Sequence, residues 1–201
     1  MTVLHDLARR TVSSDPFNLS RDRVHEVEGP GRRSFALFQT LRHTGPVIWV
    51  LPAYETQRPM LWGLPRDLVD RLILLTPTSE VDLLWCVEEA LRAASVTLVI
   101  AEPQKTLSLT AGRRLQLAAQ AGQTTGLMLI RNDQGSNATE TRWRCESAPA
   151  TAADSTLHHW ELNKNKSGTF GFWTVNWNGA TAAIHLVSPA GKRHQLEESP
   201  R

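Results

Sequence analysis

Cysteine is scarce in this chain, and the two that occur exclude more than they offer. Cys86 and Cys145 lie far apart and outside any metal-binding spacing, which excludes a cysteine-based metal site and suits a reduced compartment. Long apolar runs are also lacking. None approaches the roughly 18 residues that a membrane helix needs, and the start, Met1-Thr2-Val3-Leu4-His5-Asp6, has no basic-then-apolar leader pattern. A cytoplasmic protein without membrane contact is the expectation. Charge of one sign is missing too: 22 Lys and Arg stand against 20 Asp and Glu, and a formal net charge of +2 does not announce a nucleic-acid binder. The basic pairs Arg9-Arg10, Arg32-Arg33, Arg113-Arg114 and Lys192-Arg193 are short and read as solvated surface. His158, His159, His185 and His194 show no metal spacing, and no internal repeat is visible. Low complexity is confined to the Ala/Thr/Ser-rich segment 147–156, which reads as a linker.

The most telling absence is local. Residues 24–28 form a strand-like run, Val24-His25-Glu26-Val27-Glu28, and Phe35-Ala36-Leu37-Phe38 opens an apolar helix. Between them lies Gly29-Pro30-Gly31-Arg32-Arg33-Ser34, where a phosphate-binding loop belongs. Such a loop, G-x-x-x-x-G-K-[ST], cradles phosphates with bare glycine amides and reaches them with a lysine. With Ser34 as its final hydroxyl, the lysine position holds Arg33, the second glycine position Arg32 and the first Val27. A register shifted by one residue does no better. The layout is that of a nucleotide-binding domain from which the nucleotide chemistry is gone.

The remaining pattern is an alternation of strands and helices. A helix is expected over 34–42, strands over 47–51 and 72–75, and a helical turn near 65–69. Ser79 reads as an N-cap with Asp82 three residues on, opening a helix that carries Val81, Leu84, Trp85, Glu88 and Leu91 at helical spacing. A strand over 96–101, a helix over 110–121 closed by Gly122, and a strand over 127–131 follow. Continuous apolar strands imply a sheet covered on both faces, hence a mainly parallel α/β core with helical crossovers. The last third differs. Residues 141–146 alternate as an antiparallel strand is expected to, 160–162 and 170–177 continue as strands, and Asn178-Gly179 is a hairpin signal leading to a return strand. The expected organisation is an N-terminal helix and arm (1–23), the α/β core (24–146), the linker (147–156), and a β-hairpin extension ending in a frayed tail (157–201).

These features resemble the RecA-like superfamily over about residues 24–146, through the run from Asp70 to Pro77, Glu88-Glu89-Ala90-Leu91-Arg92, and the strand ending in Ile100-Ala101-Glu102. Within it the chain resembles the ImuA family of inducible mutagenesis proteins, in its shorter alphaproteobacterial form. The motifs that carry this are Trp85…Glu88-Glu89-Ala90-Leu91-Arg92, Gly112-Arg113-Arg114-Leu115-Gln116-Leu117-Ala118-Ala119, Thr141-Arg142-Trp143-Arg144, and Trp160-Glu161-Leu162…Lys164-Asn165-Lys166…Gly168. The resemblance implies a part in the SOS response to DNA damage and in translesion synthesis. It also implies partners: an ImuB-like inactive homologue of Y-family polymerases, an error-prone replicative-type DNA polymerase, and RecA itself. RecA and the division inhibitor SulA share the superfamily.

Against that background the remnant of the nucleotide site comprises Gly29, Gly31, Arg32, Arg33, Ser34 and Glu102. Glu102 ends a core strand where active relatives hold Mg²⁺, and Glu55 follows the second core strand where they keep a catalytic base. Without the glycines and lysine, no catalytic residue and no ATP or Mg²⁺ cofactor is expected. Residues 132–140 correspond in position to the loop with which RecA holds single-stranded DNA, yet contain two acids and no lysine or arginine, so direct DNA binding is expected to be weak or absent. Arg142 and Arg144 flank Trp143, which an alternating strand turns inward. Arg113 and Arg114 stand early on a helix, where positive charge is unfavourable by about 0.3–1 kcal/mol each, so each needs an internal carboxylate or an acidic partner. With Arg142, Arg144, Trp173 and Trp177 they are the candidate partner-binding residues, since tryptophan and arginine dominate interface hot spots. The leading expectation is a non-catalytic adaptor. Its rivals are a weak RecA-like DNA-dependent ATPase and a SulA-like inhibitor of cell division.

Overall fold

The computed structural model describes residues 15–59, 65–149, 155–168, 170–178 and 183–188, with the backbone alone at 155, 177–178 and 183–188. The expected N-terminal helix over 3–11, the Asn178-Gly179 turn, the middle of the linker (150–154) and the frayed tail lie outside the described residues.

Among the described residues nine strands form one sheet: β1 (Val24–Glu28), β2 (Val47–Val50), β3 (Leu72–Leu75), β4 (Leu98–Ala101), β5 (Thr125–Leu129), β6 (Thr141–Ala148), β7 (Ser155–Asn165), β8 (Gly171–Asn178) and β9 (Ala183–Ser188). Their order is β3-β2-β4-β5-β1-β6-β7-β8-β9. The first five are parallel to their neighbours, joined by α1 (Arg32–Arg42), α2 (Arg66–Arg71), α3 (Glu80–Arg92) and α4 (Leu109–Gly122). β6, expected to be antiparallel, is so only toward β7. It runs parallel to β1 on its other side and couples the α/β core to the antiparallel strands. β6 and β7 also extend into the segment read as linker from either end. No helix among the described residues is long and apolar enough to cross a membrane.

Each face of the sheet has its own apolar layer. On one, Phe35 and Phe38 of α1 meet Trp143, Trp160 and Trp173, which project at alternate positions of β6, β7 and β8. Phe17 plugs this layer, edge-on to Phe38 and Trp160. Residues 15–23, read from their polarity as an arm or loop, therefore carry an anchor: Phe17 and Leu19 are both buried. Burying such side chains stabilises by about 1.5–3 kcal/mol apiece, enough to hold an irregular segment on the sheet. On the opposite face α3 and α4 lie side by side over β1, β4 and β5, with Leu83, Val87, Leu91, Leu115 and Ala118 inward.

Two further expectations change. β3 is not covered on both faces: it is the edge strand, and Ile73 is 49% exposed. The helical stripe of α3 is buried only toward its end: Glu88 and Leu91 lie inward, whereas Val81 is 77% and Trp85 61% exposed, and Leu83, Val87 and Ala90 complete the buried face. Ser79 does cap α3, its hydroxyl accepting from the Asp82 amide at 3.1 Å.

Candidate functional site

Ligands of open α/β sheets bind outside the carboxyl ends of the strands, and the remnant residues gather there. β1 ends in Glu28, and the chain turns at Gly29 with φ +92°, a conformation that disfavours side chains. A Cβ on Gly29 would stand 2.4 Å from the carbonyl oxygen of Cys145, so this glycine is required by the neighbouring strand. The Gly31 amide donates to that same carbonyl at 2.8 Å, and the Gly29 amide donates to Asn132 Oδ1 at 3.1 Å. Two amides of the kind that would cradle phosphates thus bind the protein itself.

α1 then starts with two arginines, no acidic residue in its first turn and no side-chain cap, against its own dipole. Arg33 finds its counter-charge across the site. Its Nε donates to both oxygens of Glu102 at 3.1 and 3.2 Å, and its Nη2 to Oε2 at 2.8 Å. Glu102 is 3% exposed, and Trp49 Nε1 donates to its other oxygen, Oε1, at 3.0 Å. Arg33 also donates to the Gln57 carbonyl, and Glu55 Oε2 lies 3.9 Å from its guanidinium. The lysine position and the expected metal-holding acid are joined directly, through the space that would separate them if phosphate and Mg²⁺ lay between. Arg32 bonds back to the Gly29 carbonyl, and Ser34 is half-buried at the start of α1.

A second group of charges lies where β1 and β6 run together. Register pairs Glu26 with Arg142 and Glu28 with Arg144, and the side chains bond at 2.9 and 3.0 Å. Glu28, helped by Asp133 and Glu146 and opposed by burial, raises the Arg144 pKa above its ordinary value. The buried Glu26 also accepts from the Ser136 amide and the Thr139 hydroxyl, and Glu28 from the Asp133 amide. Lys164 and Lys166 donate to the Ser136 and Ala138 carbonyls. Arg142 donates to the Ser136 carbonyl and Arg144 lies 3.7 Å from Asp133, so two residues expected to serve a partner help fasten this segment to the sheet. Trp173 is likewise core, at 7% exposure, against Trp143 and Phe17. The Trp177 side chain lies outside the described residues.

Arg113 and Arg114 part company on α4. Arg114 bonds Glu88 of α3, which Arg92 also holds. Burial pushes the Glu88 carboxyl up, but these two guanidiniums outweigh it and keep the pKa below the usual carboxylate range. Arg113 borders a depression with Leu109, Leu117 and Lys166. On the other side of α4, Val81, Leu84, Trp85, Glu88, Arg114 and Leu115 line a groove of about 290 Å³. Sequence reasoning placed Trp85 on the apolar stripe of α3 without saying which way it faces. The phase of Leu83, Val87 and Leu91 relative to it was the signal available. Burial raises the pKa of both cysteine thiols, and among the described residues no cluster of three His, Cys, Asp or Glu stands ready to hold a metal.

No family model matches the chain. Two curated relatives do: Protein ImuA of Caulobacter vibrioides strain NA1000 / CB15N and Protein ImuA of strain ATCC 19089 / CIP 103742 / CB 15. Each is 31% identical over 163 residues, covering 73% of this chain and 66% of the relative. The chain thus spans just under two thirds of the length of the relatives it matches. On this comparison the chain is ImuA-like, similar to curated proteins of that name through 73% of its length.

Proposed function

We propose that this chain is a non-catalytic adaptor of SOS-induced mutagenesis and translesion DNA synthesis, acting in the cytoplasm by binding partner proteins. The similarity to ImuA supports the process. The observation that carries the non-catalytic part is the Arg33–Glu102 pair, which uses up the cation and the carboxylate a nucleotide site would need. With Gly29 and Gly31 turned to Asn132 and Cys145, a triphosphate would have to break an internal ion pair and two amide bonds before meeting any ligand. A degenerate RecA-like domain of this kind keeps its sheet ends and helix faces for constant protein contacts. The partners in this reading are an ImuB-like inactive polymerase homologue, an error-prone replicative-type polymerase and RecA, with little direct DNA binding.

Calorimetric titration of the purified protein with ATP and Mg²⁺ tests the reading. No heat of binding is expected up to millimolar nucleotide. Micromolar affinity would favour the weak DNA-dependent ATPase and return Arg33 and Glu102 to a nucleotide.

A further inference from the structure

The adaptor reading leaves open which surface meets a partner and what that partner offers. We infer that the depression between α4 and the 136–138 segment, edged by Arg113 and Lys166, binds an acidic segment of a partner protein that carries a leucine-like side chain among its carboxylates. The inference rests on the adaptor reading for its setting and on the chemistry of the depression for its ligand.

A basic residue early on a helix is relieved either by an internal carboxylate or by an acidic partner. Arg114 takes the first course, through Glu88. Arg113 does not: it is exposed, and among the described residues it forms no ion pair or hydrogen bond. The depression beside it holds about 560 Å³, a size at which small-ligand clefts are found. Its charged lining residues are Arg113 and Lys166, both positive, and no carboxylate lines it. Lys166 Nζ donates to the Ala138 carbonyl at 2.7 Å and has no acidic partner among the described residues, so two of its three donors stay free. Glu140 and Asp133, the two acids of the 132–140 loop, lie beside Arg23 and Arg144 and do not line the depression. The buried Glu26 beneath the loop is held by Arg142.

The floor is built in advance. A Cβ on Gly112 would stand 2.8 Å from Ala138 Cβ and 2.9 Å from Ser136 Oγ, so α4 lies against the 136–138 segment with no side chain between them. Leu109 and Leu117 stand four residues to either side of Arg113, hence on the same face of α4, and are 50% and 63% exposed. Apolar, cationic, apolar is the order that this face presents. A nucleic acid would satisfy Arg113 and Lys166 with phosphates but leave the leucines uncovered. Its bases stack on aromatic side chains, and none lines the depression. An acidic peptide with an aliphatic anchor meets both the cations and the leucines, and such charge complementarity sets partner choice and orientation.

The test uses a displayed library of nine-residue peptides with all positions varied, selected on the wild-type protein with counter-selection on the Arg113→Glu variant. Enrichment of Asp and Glu beside Leu, Ile or Met is expected. The best peptide, labelled with fluorescein, should bind in the micromolar range. Arg113→Glu and Lys166→Gln should each weaken it at least about tenfold, the worth of one charge-assisted contact, with circular dichroism unchanged. Trp85→Ala, in the separate groove toward α3, should leave binding as it is. The same peptide with lysine for its acids should bind Arg113→Glu better than wild type, an exchange that a merely disturbed fold would not produce. Enrichment of basic or neutral peptides, no enrichment over background, or binding indifferent to both substitutions overturns the inference. So does a thymidine oligonucleotide that displaces the peptide at micromolar concentration in physiological salt. Binding seen only in a Glu197→Gln/Glu198→Gln variant also overturns it, by making this chain's own Leu196-Glu197-Glu198 the occupant. Micromolar ATP binding would sink the adaptor reading and leave this surface standing, and failure of the peptides would do the reverse.

Discussion

Replacing Arg33 by methionine isolates what the closed nucleotide site does. The change removes three donor contacts from Glu102, at 2.8 to 3.2 Å, and leaves a carboxylate of 3% exposure with only the Trp49 indole as donor among those described here. Removing one member of a buried pair costs about 3–5 kcal/mol, chiefly because the survivor stays charged and desolvated. Arg33 is itself 24% exposed, so water relieves part of this, and the lower end, about 3 kcal/mol, is the expectation. In a domain of this size that corresponds to a fall in Tm of about 6–12 °C. The double variant Arg33→Met/Glu102→Met removes both charges and should recover to within about 1 kcal/mol of wild type, a strong coupling for two residues in contact. Urea unfolding followed by tryptophan fluorescence measures all three proteins. A loss below 1 kcal/mol in Arg33→Met, or losses that simply add in the double variant, would refute the view that this pair is structural. It would make Arg33 a side chain held ready for a ligand.

Burial lowers the pKa of His25 from 6.5 to about 4, so between those values the unfolded chain takes up a proton that the folded one refuses. Its contribution is complete above pH 6.5 and declines as the pH falls, by about 2 kcal/mol at pH 5; burial lowers His43 and His158 in the same direction. Urea midpoints should drop from pH 7 to pH 5, less steeply in His25→Gln, and equal slopes in the two proteins would contradict the assignment. Gly29→Ala combines a positive φ with a Cβ 2.4 Å from the Cys145 carbonyl and should cost well over 2 kcal/mol. Gly168→Ala, at φ +87° with nothing within 4 Å, should cost about 1 kcal/mol in the same denaturation assay. Single-stranded DNA should bind poorly at physiological salt by fluorescence anisotropy; sub-micromolar affinity with a steep salt slope would overturn the account of the 132–140 loop.

Much of the core was legible because its signals are local. Continuous apolar runs mark β2 and β4, and Ser79 marks the start of α3, since strand burial and capping depend on neighbours within a few residues. The candidate site was legible in its residue types. Arg33 in place of lysine and the shortage of glycine are visible without coordinates. The pairing of Arg33 with Glu102 was not, because 69 residues separate them and only the adjacency of α1 to the end of β4 brings them together. Periodicity left the direction of Trp85 open because it gives the width of an apolar stripe and not which edge of it faces the sheet. Polarity misled over 15–23 for the opposite reason: Phe17 and Leu19 are two apolar residues in a polar stretch, too few to signal burial.

The sequence by itself determined that this chain builds a mainly parallel α/β sheet, and that the loop after its first strand lacks the residues for holding phosphate. Backbone propensity and the presence or absence of a side chain act within a turn or a strand. Only the tertiary structure decided what fills that loop's place and which arginines look outward. Arg33, Arg142 and Arg144 are committed to Glu102, Glu26 and Glu28, and Trp173 to the core. Trp85 and Val81 are left exposed on α3. Those choices depend on which strands and helices become neighbours, a property of the assembled sheet that no stretch of the chain carries alone.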